Sequence, residues 1–158
     1  MHIRILTAGR LKAGPQRELV TGYLERAQMA GRNVGLEGFT VEEVPEAKRR
    51  TADERRNEEA SMLLTRSKGA MCVALDETGR TLTSLEFAER IGGWRDDGIA
   101  EVSFLVGGPD GHGKAALEAG PAISFGALTW PHQLFRIMLA EQLYRAAAIL
   151  SGHPYHRA

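Results

Sequence analysis

The sequence predicts an α/β fold, a mostly parallel sheet with helices on both faces. Three observations carry this expectation. Short apolar runs alternate with amphipathic stretches along the chain. Ala70 to Leu75 is uniformly apolar and Val102 to Val106 nearly so, the pattern of strands covered on both faces. Two Thr-x-x-Glu capping boxes, Thr51 with Glu54 and Thr83 with Glu86, open helices between strand-like runs. At 158 residues, 43% hydrophobic and 25% charged, the chain fits one domain with a sizeable core.

The elements follow in order. His2 to Ala8 reads as a strand ending at Gly9. Pro15 suits the first turn of a helix, in which Leu19, Tyr23, Leu24 and Ala27 recur at helical spacing until Gly31. Phe39, Val41 and Val44 alternate with polar residues as a second strand, stopped by Pro45. The helix after Thr51 is charged, with Ala60, Leu63 and Leu64 on its apolar side. Ala70 to Leu75 is the next strand, and Asp76 to Gly79 is expected to break it. The helix after Thr83 carries Leu85, Phe87, Ala88 and Ile91 and is expected to run out near Gly92 and Gly93. Val102 to Val106 is a further strand, followed by a short helix near Lys114 and a last strand from Ala122 to Phe125. Pro131 opens a long helix to about Leu150. Its apolar residues Leu134, Phe135, Ile137, Met138, Leu139, Leu143, Tyr144 and Ile149 lie nearly all round, which predicts burial.

Several function classes fall away on composition. No apolar run approaches the roughly 18 residues of a membrane span, and the opening residues lack a signal-peptide core. A lone Cys72 leaves no disulfide framework and no cysteine-based zinc site, so a cytoplasmic protein is expected. Twenty basic residues balance 20 acidic ones, which speaks against holding nucleic acid by bulk electrostatics, and DNA is not an expected partner.

In such a sheet, ligands bind past the C-terminal ends of the strands. The loops after Leu75, Val106 and Phe125 are therefore the candidates. Gly107-Gly108-Pro109-Asp110-Gly111 lets backbone approach a ligand closely, or is a tight turn; it matches no dinucleotide or P-loop fingerprint. Gly126 to His132 brings small residues and Trp130 to a helix N-terminus, where free amides suit polar groups of a ligand. Trp130 reads equally as core. Glu141 and Arg145 are spaced as an ion pair, with an anionic substrate or a second subunit as the alternative partner of Arg145. Lys48, Arg49 and Arg50 read as a solvated loop, with phosphate binding as the alternative. No nucleophile elbow or metal-ligand motif occurs; Cys72 reads as core, and His153 with His156 lacks a carboxylate partner. Group transfer by placement is the chemistry that remains.

Four motifs in order closely resemble one family: Gly107-Gly108-Pro109-Asp110-Gly111, Leu128-Thr129-Trp130-Pro131-His132 with its upstream residues from Ser124, Glu141-Gln142-Leu143-Tyr144-Arg145-Ala146, and His153-Pro154-Tyr155-His156-Arg157. This is the RlmH family of bacterial large-subunit rRNA pseudouridine N3-methyltransferases, of the SPOUT class. The likeness extends over the whole chain, least distinctively from about Gly31 to Ala70. Gly126 stands where relatives commonly have Ser.

The resemblance implies a SPOUT-type α/β knot, a homodimer, and S-adenosylmethionine as cofactor. It implies as acceptor a pseudouridine in a large-subunit rRNA hairpin loop, in free rRNA or within the assembled ribosome, with the ribosome the expected partner. The knot comes from the resemblance alone, since general connection rules argue against knots. Carried onto this chain, cofactor contacts fall on Leu75, Gly107, Gly108, Gly126, Ala127, Leu128, Thr129, Trp130 and Pro131. His132, Arg145, His156 and Arg157 are the catalytic candidates by type and location, with no single base assigned, and no metal is required. Two other readings stand beside this one: a non-catalytic ribosome-associated RNA-binding module, and an α/β enzyme for a small nucleotide using the Gly107 to Gly111 loop.

Overall fold

The computed structural model describes residues 1–156. Strands β1 (His2–Ala8), β2 (Glu37–Val44), β3 (Met71–Thr81), β4 (Glu101–Val106) and β5 (Ala122–Ser124) form one sheet in the order β2-β1-β4-β3-β5, and each neighbouring pair is parallel. Helices α1 (Pro15–Gly31), α2 (Ala52–Arg66), α3 (Ser84–Asp96), α4 (Lys114–Glu118) and α5 (His132–Leu150) connect and cover them.

Side-chain alternation along the strands separates two cores. Ile3, Ile5, Val73, Val102 and Phe104 point to the face covered by α1, α3 and α5, where Leu24, Ile91, Leu139 and Leu143 meet them. Leu6, Cys72 and Leu105 point to the other face, against Ala60 and Leu63 of α2 and Ala116 of α4. Each such aliphatic side chain contributes about 1.5–3 kcal/mol of burial, offset by the entropy of ordering it. Cys72 is core, as its mid-strand place suggests. Both capping boxes form: Glu54 N donates to Thr51 Oγ1 at 3.2 Å and Thr51 N to Glu54 Oε2 at 3.0 Å, with the same reciprocal pair at Thr83 and Glu86.

Three expectations need correction. Asp76 to Gly79 does not end β3. The Asp76 carboxylate accepts from Thr78 N at 3.0 Å and from Thr78 Oγ1 at 2.6 Å, folding the backbone into an excursion from which the strand resumes. As a result Leu75 and Arg80 both pair with Ile123. Gly79 lies on the β5 backbone, and a Cβ there would stand 2.6 Å from the Ala122 carbonyl carbon, so the close crossing admits only glycine. Gly92 and Gly93 do not end α3, which continues to Asp96. Gly92 faces α5, where a Cβ would come within 3.0 Å of Leu150 Cδ2; it marks helix contact, not a helix end. Finally, α5 is not buried all round. Leu134 is 44% exposed, and Ile137 and Met138 are half-buried.

The last described residues are packed. The Tyr155 ring lies 4.3 Å from that of Tyr144 in α5, and its hydroxyl donates to Glu141 Oε1 at 3.0 Å. Arg157, one of the candidate catalytic residues, lies outside the described residues.

Candidate functional site

Parallel strands put the loops that follow them at one end of the sheet. There the loops after β4 and β5 and the excursion in β3 surround a cavity of about 530 Å³. Its wall includes Leu75, Gly107, Gly108, Gly126, Leu128, Thr129, Trp130 and His132. Ala127 and Pro131 belong to the same loop without forming part of the wall. Trp130 is 37% exposed and Leu128 70%, so Trp130 is cavity lining and not core.

The Gly107 to Gly111 loop is fixed by side chains beneath it. Gly111 N donates to Gly108 O at 3.0 Å, and Gly111 takes the left-handed φ of 84°. Arg55 of α2 grips Asp110 with two bonds of 2.6 and 3.1 Å, and this pairing holds the Asp110 carboxyl below its usual range. Glu59, one turn further along α2, is 3% exposed. Its Oε1 accepts from Ala47 N at 3.0 Å, and its Oε2 lies 2.6 Å from where a Cβ on Gly108 would stand. Burial raises the Glu59 pKa.

His112 closes the underside. Its Nε2 is 3.2 Å from Gly107 N and 3.1 Å from Leu105 O. One nitrogen cannot serve both partners: unprotonated it accepts from Gly107, protonated it donates to Leu105. Burial lowers the His112 pKa, against a smaller opposing pull from Asp76, and so favours the neutral ring.

In the loop after β5, Gly126 has a φ of 109°, and Ser124 Oγ both accepts from Gly126 N at 3.2 Å and donates to Gly126 O at 3.1 Å. Among the described residues, the amides of 127–130 donate to no protein acceptor. They remain available to polar groups of a ligand. His132 stands on the wall at the start of α5. Burial pushes its pKa down, the nearby Arg136 pushes it further down, and Glu46 opposes them. A neutral imidazole, able to accept a proton, results.

Arg145 and His156 are elsewhere. Arg145 donates to Glu141 at 2.5 Å, lies 3.4 Å from His156 Nδ1 and sits 5.0 Å above the Tyr155 ring. None of these residues lines the cavity with His132. Of the basic loop, Arg49 is paired with Glu58 at 2.5 Å, while Lys48 and Arg50 extend to solvent. No group of three or more metal-ligating side chains occurs among the described residues, nor does a helix long and apolar enough to cross a membrane.

Three residues around the site escape sequence reasoning: Glu59, His112 and Arg136. Arg136 is 2% exposed and donates to Ala8 O at 2.8 Å, Gly9 O at 3.0 Å and Glu43 Oε1 at 3.2 Å. Its one sequence signal is a charge inside the apolar run from Leu134 to Leu139. Glu59 and His112 carry no such signal.

Comparison with known proteins agrees with this architecture. Residues 1–156 match the family model described as a predicted SPOUT methyltransferase. The chain is 50% identical over 158 residues to a ribosomal RNA large subunit methyltransferase H of Chelativorans sp. (strain BNC1), covering 99% of this chain and 91% of that one. It is 49% identical over 160 residues to the protein of the same name from Brucella anthropi, with all of both chains covered, and 47% identical over 159 residues to that of Nitrobacter hamburgensis, with 99% of each covered. A cavity ringed by two strand-end loops and the excursion in β3, and likeness over the full length of such relatives, make this chain a member of the SPOUT methyltransferase family.

Proposed function

We propose that this protein transfers a methyl group from S-adenosylmethionine to N3 of a pseudouridine in a large-subunit rRNA hairpin loop. The carrying observation is the convergence of Leu75, Gly107–Gly108, Gly126–Trp130 and His132 on one cavity. The methyltransferase names of full-length relatives support the rRNA acceptor. They do not favour a non-catalytic RNA-binding module.

The residues fit the cofactor. The cavity falls within the about 300–1,000 Å³ usual for small-molecule sites. Unengaged amides at 127–130 suit its polar groups, and Trp130 and Leu128 offer apolar surface to a flat ring. When bound, the cofactor supplies a methyl group already activated on a sulfonium sulfur. The chain's own residues must do the rest. Pseudouridine N3 is an imide N–H between two carbonyls and becomes nucleophilic only as its proton leaves. Neutral His132 is the wall residue suited to take that proton. A guanidinium suits the developing imide anion, and Arg145, with His156 and Arg157, is the second candidate set.

Arg145 and His156 lie outside the cavity of their own chain, which supports a homodimer in which the tail serves the partner's site. Exposed Leu134 and Leu19, with half-buried Ile137 and Met138, supply apolar surface for such an interface. The reading includes the C-terminal trefoil knot of the family, with which the all-parallel sheet is consistent. It also includes action in the cytoplasm on the assembled ribosome.

The test is calorimetry with S-adenosylmethionine, followed by methylation of ribosomes from cells lacking the protein, with the product mapped by mass. Cofactor binding and one added methyl on a large-subunit pseudouridine are expected. No binding of the cofactor, or methylation of another molecule only, would refute the reading.

A further inference from the structure

The loops after β1 and β2 emerge at the same end of the sheet as the cavity, and each carries exposed cations: Arg10 and Lys12 on the first, Lys48 and Arg50 on the second. Both loops are tied to the site. Arg136, one turn along α5 from His132, donates to Ala8 O and Gly9 O, and Leu11 N donates to Glu43 Oε1 at 2.7 Å. The second loop is fastened at two points through α2. Arg55 donates to Arg49 O at 3.0 Å while holding Asp110, and Glu59 accepts from Ala47 N while lying under Gly108. The loop bearing Lys48 and Arg50 is thus stapled to the loop that forms the cavity wall.

Their charge is unspent. Among the described residues, Arg10, Lys12, Lys48 and Arg50 have no carboxylate within 4.0 Å, whereas neighbouring Arg17, Arg49, Arg55 and Arg56 all do. Two carboxylates face this region: Glu43, taken up by Arg17, Arg136 and Leu11 N, and Glu46, exposed on the second loop, whose field reaches His132 and Arg136. In a chain with 20 residues of each sign, four unneutralised cations on two adjacent rims are a local excess. From Arg10 and Lys12 the surface continues into a groove of about 1270 Å³ between α1 and β2, where Arg17 and Arg32 share the lining with Glu25, Glu42 and Glu43, the last two paired with arginines. A polyanionic strand leaving the cavity mouth would meet positive charge on both rims.

We propose that Arg10, Lys12, Lys48 and Arg50 hold the phosphate backbone of the acceptor RNA around the mouth of the cofactor cavity. The proposal rests on the reading of rRNA as acceptor. Such contacts set register and affinity without reading sequence.

The test uses the full chain with pairs R10Q/K12Q and K48Q/R50Q, their combination, and a control K68Q/R90Q. The control makes the same charge change as either pair, at exposed positions away from the rims. Each protein is measured for S-adenosylmethionine affinity, for kcat and KM with ribosomes from cells lacking the protein, and for the salt dependence of ribosome binding. The rim pairs are expected to keep cofactor affinity and kcat within about twofold. KM should rise about tenfold or more in the combined variant, and the slope of log K against log salt should become shallower by about 0.7–0.9 per lost phosphate contact. Unchanged KM and salt slope in the rim variants, or equal changes in K68Q/R90Q, would overturn the proposal while leaving the enzymatic reading intact. If the unaltered protein neither binds nor methylates ribosomes, the acceptor reading fails and the rims lose their role with it.

Discussion

The guanidinium of Arg136, fully buried in α5, meets the carboxylate of Glu43 at the end of β2 at 3.2 Å, and it spans the gap by also holding the carbonyls of Ala8 and Gly9. Glu43 keeps Arg17 and Leu11 N if Arg136 is removed, but the buried carbonyls of Ala8 and Gly9 lose their donor, at a cost of about 1–3 kcal/mol each. Arg136→Met is therefore expected to lower the urea midpoint by an amount equivalent to about 3 kcal/mol, with the slope unchanged. Arg136→Lys, which cannot reach three acceptors in one plane, should recover less than half of the loss. A midpoint within experimental error of the unaltered protein would show that the contact is not stabilising.

Gly108→Ala places a methyl 2.6 Å from Glu59 Oε2. The carboxylate has little room to yield, because Glu59 is buried and its other oxygen is bonded to Ala47 N. The loop should shift into the cavity, and affinity for S-adenosylmethionine should fall at least tenfold with circular dichroism unchanged. Calorimetry reads this directly; wild-type affinity in the folded variant removes Gly108 from the cofactor site.

The His112 pKa is depressed by burial, so the unfolded chain takes up a proton at higher pH than the folded one. The stability this residue contributes is complete above the ordinary histidine value and is lost as pH falls through it toward the lower folded value. His112→Leu should flatten the decline in stability between about pH 7 and 5. Parallel stability curves for the two proteins across that window would count against a buried neutral imidazole.

Deleting residues 154–158 removes the Tyr155 ring from Tyr144 and its hydroxyl from Glu141. The expected cost is about 1 kcal/mol in stability, with cofactor affinity retained and methyl transfer to ribosomes abolished. Transfer at the full-length rate would take His156 and Arg157 off the candidate list.

Much of the frame is legible locally. Thr51 and Thr83 announce their helices because a capping box is completed within four residues, and the candidate loops show themselves as glycine-rich breaks after apolar runs. What the chain hides is set by contacts distant in sequence. Asp76 to Gly79 reads as a break until β5 is present to pair on both sides of it. Gly92 reads as a helix end until Leu150 lies against it. The tail is too short and polar to predict packing, yet Tyr155 finds Tyr144 and Glu141. Trp130 fits core and cavity equally as a sequence symbol, and only its place on the wall decides. Glu59 lies under Gly108 although 49 positions before it in the chain, and no periodicity encodes that meeting.

The double pairing of Ile123 also bears on the order of events during synthesis. A ribosome making this protein releases β1 through β4 well before β5, and α5, which fills the space between α1 and α3, comes later still. Until then one face of the sheet has two of its three covering helices, and the excursion between Leu75 and Arg80 has nothing to enclose. Vectorial folding, in which early segments settle as they emerge, therefore cannot complete this domain. Its nascent form is a partly open sheet that closes only when nearly the whole chain is free.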